Sequence, residues 1–435
     1  MSESLLANGE YFTGKPGGLP DGWNLASARP EIAPAVRLAA HGGIPVITAE
    51  GGAACVGCLQ TVVPVTPGAS YLFEACFKAV NGFDPYKSVF FTVATEDNKM
   101  NDGIFEYARG ADGWIRGKAV IAVPPGECRT LKVQIYIKYI DSGGVIIRSV
   151  SLKPCEPAAD RWVRVAVMDG YPKELATWER ALDFAGEQGA DIALLTESFN
   201  LSYDPEGPMG ASYQLMREHA VKHRMYVSGT YYFHDTTDDR FYNNQVIIGR
   251  NGEFAGHYYK NHPYDPEAYN SGIISGGEVP VFELDFGKVG CFICYDGWFG
   301  DVAELLALKG AELVLFPAAG LYRRLVSARA ADNGLWIAST SSGNGCGIWD
   351  PAGEEIISNK CDDSTKASLV DGHFKDVVTG KVDDILEVAV ATINLSRKAS
   401  PHNWGGPVFS SPGGRRARRQ QMKTLYDEIE REYRL

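Results

Sequence analysis

The chain has 435 residues, 45% hydrophobic and 22% charged, and its 54 acidic side chains outnumber 42 Lys and Arg for a formal net charge of -12. That length accommodates two or three domains with separate cores, and the acidic balance weighs against general nucleic-acid or anionic-membrane partners. The start, MSESLLANGEYF, lacks a basic-then-apolar leader, no run approaches the roughly 20 apolar residues of a bilayer span, and nine cysteines without small-domain spacing predict thiols in a cytoplasmic protein.

Residues 1–155 read as an all-β sandwich. Ser70–Lys78, Ser88–Ala94, Leu131–Lys138 and Gly144–Leu152 alternate apolar and polar residues, and Gly and Pro punctuate the gaps. Lys153-Pro-Cys-Glu-Pro-Ala-Ala-Asp160 breaks the pattern and marks a domain boundary. From Arg161 the rhythm becomes strand, helix, strand, which predicts an α/β domain over 161–400 with helices on a largely buried sheet. Trp162–Met168 is a strand; Leu175, Trp178, Leu182 and Ala185 follow helical spacing; Ile192–Thr196 is the next strand and delivers Glu197. Asn251-Gly252 predicts a two-residue hairpin turn between Gln245–Gly249 and Glu253–Tyr259, with Lys260 at the end. A second hairpin, Val279–Asp285 and Lys288–Cys294, is expected to turn at Phe286-Gly287. A helix over Val302–Lys309 and a strand over Glu312–Pro317 follow. Residues 401–435 form a tail with a basic run, Gly413-Gly-Arg-Arg-Ala-Arg-Arg419, and a helix whose Met422, Leu425, Ile429 and Tyr433 make a narrow apolar stripe. Such a run is ordinarily a solvated face or pairs within an oligomer.

Three strand ends thus carry a carboxylate, an ammonium and a thiol. Singly, each has an ordinary reading: a core cysteine, a solvated acid, a lysine in water. Brought to one sheet edge, they are the parts needed to attack a carbon–nitrogen bond through a thioester, because a thiol mostly protonated at neutral pH needs a base beside it. Cys55–Cys58 and Cys291–Cys294 share a Cys-x-x-Cys spacing, but no second ligand pair stands near either, so no metal is expected.

The combination resembles the nitrilase superfamily of carbon–nitrogen hydrolases. Leu194-Leu-Thr-Glu197 matches its catalytic acid, Tyr242-Asn-Asn-Gln-Val followed by Tyr258-Tyr-Lys-Asn-His262 its lysine hairpin, and Gly290–Asp296 its nucleophile segment. Ala311–Pro317, Ala328–Asn333 and Gly347–Gly353 extend the match across most of 161–400. The resemblance implies a four-layer α-β-β-α sandwich, Glu197, Lys260 and Cys294 as the catalytic set, no cofactor, and a homodimer or higher homo-oligomer. It implies a second, substrate-orienting glutamate, for which Glu267 is the best match and Glu278 competes. Tyr232 and His262 are expected to line the pocket, and Tyr295 and Trp298 to flank the nucleophile. Two departures stand out: Thr196-Glu197 where the family often has Pro-Glu, and Phe299-Gly300-Asp301 where it often has Phe-Pro-Glu. Neither removes a catalytic group. Tyr295-Asp296 looks like the amidase and carbamoylase branches, which act on a small amide or N-carbamoyl compound. The alternatives are a nitrilase, an N-acyltransferase, or an inactive sugar-binding protein. Asn8–Phe12, Leu19–Trp23, Val65–Tyr71 and Ile147–Leu152 resemble jelly-roll carbohydrate-binding modules, which implies a jelly-roll fold and a carbohydrate partner; the alternative is a domain that walls the hydrolase pocket or serves assembly, and Trp23 is expected in the core.

Overall fold

A computed structural model describes residues 4–6, 12–81, 88–97, 100–104, 107–140, 143–202, 205–358, 374–396, 423, 426–427 and 429–432. They divide into two compact units, one of residues 1–158 with 402–435, the other of 159–401. The first contains β1 (Asn24–Ala26), β2 (Ala35–His41), β3 (Ile44–Glu50), β4 (Val56–Pro64), β5 (Ser70–Val80), β6 (Val89–Ala94), β7 (Asn101–Gly103), β8 (Tyr107–Arg109), β9 (Ile115–Ala122), β10 (Thr130–Lys138) and β11 (Gly144–Cys155). These form two sheets, ordered β1-β4-β10-β6-β7 and β2-β3-β11-β5-β9-β8. Alternate residues of β5 (Tyr71, Phe73, Ala75, Phe77) and β10 (Leu131, Val133, Ile135, Ile137) enter one shared core, as strand geometry dictates. Trp23 is buried there, its ring edge-on to Phe12. The β11 strand continues through Pro154: past Ile147 it has no β3 partner, so the missing N–H leaves no acceptor unmet on that side.

The second unit contains β12 (Trp162–Gly170), α1 (Leu175–Glu187), β13 (Ile192–Leu194), α2 (Ala211–His223), β14 (Tyr226–Asp235), β15 (Arg240–Ile248), β16 (Phe254–Tyr259), α3 (Asp265–Ser271), β17 (Val281–Leu284) and β18 (Gly287–Cys291). Next come α4 (Asp301–Leu308), β19 (Leu313–Pro317), α5 (Arg323–Asn333), β20 (Trp336–Thr340), β21 (Gly347–Trp349), β22 (Glu355–Ser358), β23 (Phe374–Val382) and β24 (Leu386–Asn394). One sheet runs β16-β15-β14-β13-β12-β24-β23, the other β17-β18-β19-β20-β21-β22. Parallel trios, β12-β13-β14 and β18-β19-β20, sit inside antiparallel flanks. Period-two alternation divides β12 between two cores. Val163, Val165 and Val167 meet Val289, Leu313, Leu315 and Ile337 of the other sheet, whereas Ala166 and Met168 meet Trp178, Leu182 and Ala185 of α1 and Met216 of α2. Such two-sided burial explains why the strand reads as a continuous apolar run. Helices α4 and α5 cover the second sheet through Leu306, Val326 and Ala330. Gly290 makes that approach available: a Cβ on it would lie 2.6 Å from Leu306 Cδ2.

Two turns differ from expectation. Asn251-Gly252 is not a two-residue turn: Gly252 N–H donates to Gly249 O and Gly249 N–H to Glu253 O, so three residues make the loop and Gly252, at φ 81°, takes the left-handed position of a bulge. In the next hairpin Leu284 pairs with Gly287, so Asp285-Phe286 form the turn. Gly287 stays in the strand, where a Cβ would stand 2.9 Å from Glu312 Oε2. No described helix is long and apolar enough to cross a membrane. The basic run 413–419 and Met422, Leu425 and Tyr433 lie outside the described residues; Ile429 is exposed.

Candidate active site

The first sheet supplies a carboxylate and an ammonium from the ends of two strands, β13 and β16, that have two strands between them. Glu197 lies just beyond β13 and Lys260 directly beyond β16, and both are buried. Lys260 Nζ donates to Glu197 Oε1 at 2.9 Å and to Glu267 Oε2 at 2.6 Å. Asn243, on β15, spans the same two carboxylates, with Nδ2 2.9 Å from Glu197 Oε1 and 2.8 Å from Glu267 Oε1. The Ala319 N–H, beyond β19, closes the other side of Glu197 at 2.8 Å from Oε2. Glu267 is carried inward by α3, where it also accepts from Tyr232 OH at 3.1 Å and from the Tyr264 N–H at 2.8 Å. Glu278 is exposed.

Burial works against the Lys260 ammonium, but Glu197, Cys294 and Glu267 outweigh it and hold its pKa above the ordinary lysine value. Burial also opposes ionisation of Glu267, and there Lys260 wins, keeping the carboxyl below its usual range. The site thus gathers two carboxylates around one ammonium, and Glu267 accepts four hydrogen bonds, from Tyr232, Asn243, Lys260 and Tyr264.

Cys294 arrives from the second sheet. The strand ends at Cys291 and the nucleophile candidate stands three residues later, opening a 3-10 turn over Cys294–Trp298 rather than ending the strand as expected. Its φ of 41° is left-handed, an unusual conformation for a residue with a Cβ and worth about 1–3 kcal/mol of strain. Asp296 supplies the compensation: its carboxylate accepts from the Ile293 N–H at 2.9 Å, Tyr258 OH at 2.8 Å and the His262 N–H at 2.8 Å. This buried side chain therefore ties the cysteine turn to the strand that carries Lys260. Burial, then the Glu197 charge, pushes the Cys294 thiol up to about 12, against the opposing pull of Lys260 and the Ala319 N–H.

Glu197, Lys260, Glu267 and Cys294 all line one cavity of about 990 Å³. Tyr232, Tyr295 and Trp298 line it too. His262 does not: its ring stacks on Phe299 at 4.3 Å, Nδ1 lies 3.0 Å from Asp296 Oδ1, and Nε2 lies 3.3 Å from Asp301 Oδ2. Those two acids draw it away from the pocket and, with the Asp296 hydrogen bond first, raise its pKa. Sequence reasoning had no role for Asn243, Asp296, Ala319 or the lining rings Tyr171, Tyr264 and Tyr322. The one available signal was Asn243 and Gln245, polar residues on the same face of a buried strand. Outside the cavity, Asp183 of α1 with His219 and His223 of α2 form the one described trio of metal-ligand type, their atoms within 4.8 Å of one another. There Asp183 Oδ1 also accepts from Lys222 at 2.7 Å, which makes the trio part of a hydrogen-bonded staple between two helices. The eight described cysteines are free thiols.

Comparison with known proteins bears on the family of the chain. The family description "Carbon-nitrogen hydrolase" matches residues 164–395. The chain is 26% identical to N-carbamoylputrescine amidase of Solanum lycopersicum over 274 residues, covering 56% of this chain and 88% of the relative. It is 25% identical to the chloroplastic omega-amidase of Arabidopsis thaliana over 272 residues, 54% of this chain and 70% of that one. The crystal structure of Saccharomyces cerevisiae Nit3, a member of branch 10 of the nitrilase superfamily, overlies 54% of this chain and 90% of its own with 21% identity and a TM-score of 0.43. With the match spanning both sheets of the second unit, the chain belongs to the carbon–nitrogen hydrolase family and is an amidase-type hydrolase.

Proposed function

We propose that Cys294, Glu197 and Lys260 are the nucleophile, general base and oxyanion donor of a thioester-forming amidase, with Glu267 positioning Lys260. The observation that carries this reading is the 2.9 Å contact between buried Lys260 and Glu197 on the wall of the cavity that also holds the Cys294 thiol. A thiol pushed up to about 12 is not ionised in advance, so its proton must leave as sulfur attacks. Sγ bonds to the carbonyl carbon of the amide or N-carbamoyl group while Glu197 takes the thiol proton. The carbonyl oxygen gains the electron pair and is met by Lys260 Nζ and the Tyr295 N–H. Lys260 is suited to this: an ammonium has three donors, and the two carboxylates take two. Loss of one such donor costs about 3–4 kcal/mol of barrier. The tetrahedral species collapses by breaking carbon–nitrogen, and the nitrogen leaves with the proton Glu197 held. Water then attacks the thioester carbon, giving a proton to Glu197; the carbon–sulfur bond breaks and the proton returns to sulfur. The sum is amide plus water to acid plus ammonia or amine.

Ammonia release across primary amides and N-carbamoyl compounds, with no added amine, tests the reaction and separates hydrolysis from acyl transfer. Cys294→Ala is expected to abolish it, and the wild-type protein quenched during turnover should carry the acyl mass on Cys294. Full turnover by Cys294→Ala refutes the assignment.

The same proposal covers the remaining parts. Residues 1–155 form a jelly-roll domain of carbohydrate-binding-module type, 161–400 the hydrolase domain and 401–435 a tail; the two-sheet core of the first unit supports the sandwich. With Trp23 buried, any sugar would have to stack on another ring. The assembled enzyme is a homo-oligomer.

A further inference from the structure

Four rings run in contact along one wall of the catalytic cavity. Tyr264 meets Tyr295 at 5.5 Å between centroids, Tyr295 meets Trp298 at 6.4 Å, and Trp298 meets Tyr322 at 5.0 Å. Tyr264, Trp298 and Tyr322 remain 51%, 50% and 58% exposed, so large apolar faces border the space in front of Cys294 without being covered. Charge is distributed quite differently. Among the described residues lining the cavity, the charged side chains are Glu197, Lys260 and Glu267, and the two carboxylates around one ammonium leave a net negative charge at its base. Two arginines of α5 are directed elsewhere: Arg323 to Glu355, and Arg329 to the carbonyls of Trp298 and Phe299 at 3.1 Å each. Arg324 is exposed and does not line the cavity. A substrate carboxylate entering this space would leave water to meet, among the described lining residues, no cation but Lys260, which already serves two carboxylates, and that is strongly unfavourable. An aryl or apolar group would exchange water for ring faces. At about 990 Å³ the cavity also exceeds what a two- or three-carbon amide fills.

We propose that this enzyme takes an uncharged amide whose acyl portion ends in an aryl or extended apolar group, seated on the strip Tyr264–Tyr295–Trp298–Tyr322, and that it discriminates against amides bearing a distal carboxylate. The inference rests on the assignment of Cys294 as nucleophile, since that thiol defines which end of the cavity holds the amide.

The test compares ammonia release from phenylacetamide, acetamide, succinamic acid, N-carbamoyl-β-alanine and 4-aminobutyramide by the full-length protein. The expected kcat/KM for phenylacetamide exceeds that of each carboxylate-bearing substrate at least about tenfold, since desolvating an unpaired carboxylate costs more than the roughly 1.4 kcal/mol that a tenfold ratio represents. A preference for either carboxylate, or for the ammonium-bearing amide, overturns the proposal. Turnover of none of them, with no acyl mass on Cys294, defeats the catalytic assignment itself, and the proposal with it. Tyr322→Arg places a cation on the strip: succinamic acid should gain at least about tenfold relative to phenylacetamide. Trp298→Ala, which adds no charge, should raise KM for phenylacetamide more than for acetamide. Unchanged ratios in both variants show that the strip does not face the acyl group.

Discussion

Replacing Glu267 by Gln tests whether the second carboxylate holds Lys260 in place. Its two oxygens accept four hydrogen bonds: Tyr232 OH at 3.1 Å and Asn243 Nδ2 at 2.8 Å on Oε1, Lys260 Nζ at 2.6 Å and the Tyr264 N–H at 2.8 Å on Oε2. Glutamine offers one oxygen and one NH2, so one pair of donors faces a donor. The less disruptive orientation keeps the amide oxygen on Lys260 and Tyr264. Tyr232 can then turn its hydroxyl to accept, but Asn243 Nδ2 is left opposed by the new NH2. A lost hydrogen bond to a charged group is worth about 1.5–3 kcal/mol, and the attraction between Lys260 and the departed charge disappears as well. We expect a stability loss of about 2–4 kcal/mol in urea unfolding and a kcat lower by about 10- to 100-fold, with KM little changed. The Lys260 pKa also falls, because a carboxylate that raised it is gone, and the alkaline limb of the rate profile moves to lower pH. A variant that retains wild-type kcat, urea midpoint and alkaline limb refutes the positioning argument.

Glu197→Gln should lower turnover by about a hundred- to ten-thousand-fold through loss of the base, yet its Cys294 should ionise at lower pH than the wild-type value of about 12, because after burial the Glu197 charge is what raises it. Ultraviolet thiolate absorbance, compared between Glu197→Gln with and without Cys294→Ala, reads that shift; an unchanged or higher thiol pKa refutes it. For His262, Asp296 raises the folded pKa above the ordinary histidine value of about 6.5. The stabilisation is thus fully present below the unfolded pKa and fades as pH rises through the folded one. His262→Gln should flatten this part of the stability–pH curve from about pH 6.5 upward, and a curve of unaltered slope contradicts the pairing.

Much of the hydrolase unit is legible from local pattern. Strand period two and helix spacing are properties of neighbouring residues, so β12, α1, β19 and α4 can be read directly from where Val, Leu and Ala recur. Turns were less secure, because Asn-Gly suits more than one loop geometry, and a strand glycine such as Gly287 mimics a turn when its true reason is a crowding neighbour from β19's approach, Glu312. His262 shows the same limit at the site: its position beside Lys260 in sequence says nothing of Asp296 and Asp301, which claim its ring.

By itself the amino-acid order determined the alternation of elements, the acidic character of the chain and the presence of thiol, acid and amine at three separated strand ends. Only the tertiary structure decided that Glu267 turns inward while Glu278 faces water, that Asn243 bridges two carboxylates, and that Cys294 bends into a left-handed turn held by Asp296. The reason is physical: local pattern records which face of an element avoids water, whereas charge, proton affinity and reach at a buried site depend on groups brought together from distant parts of the chain.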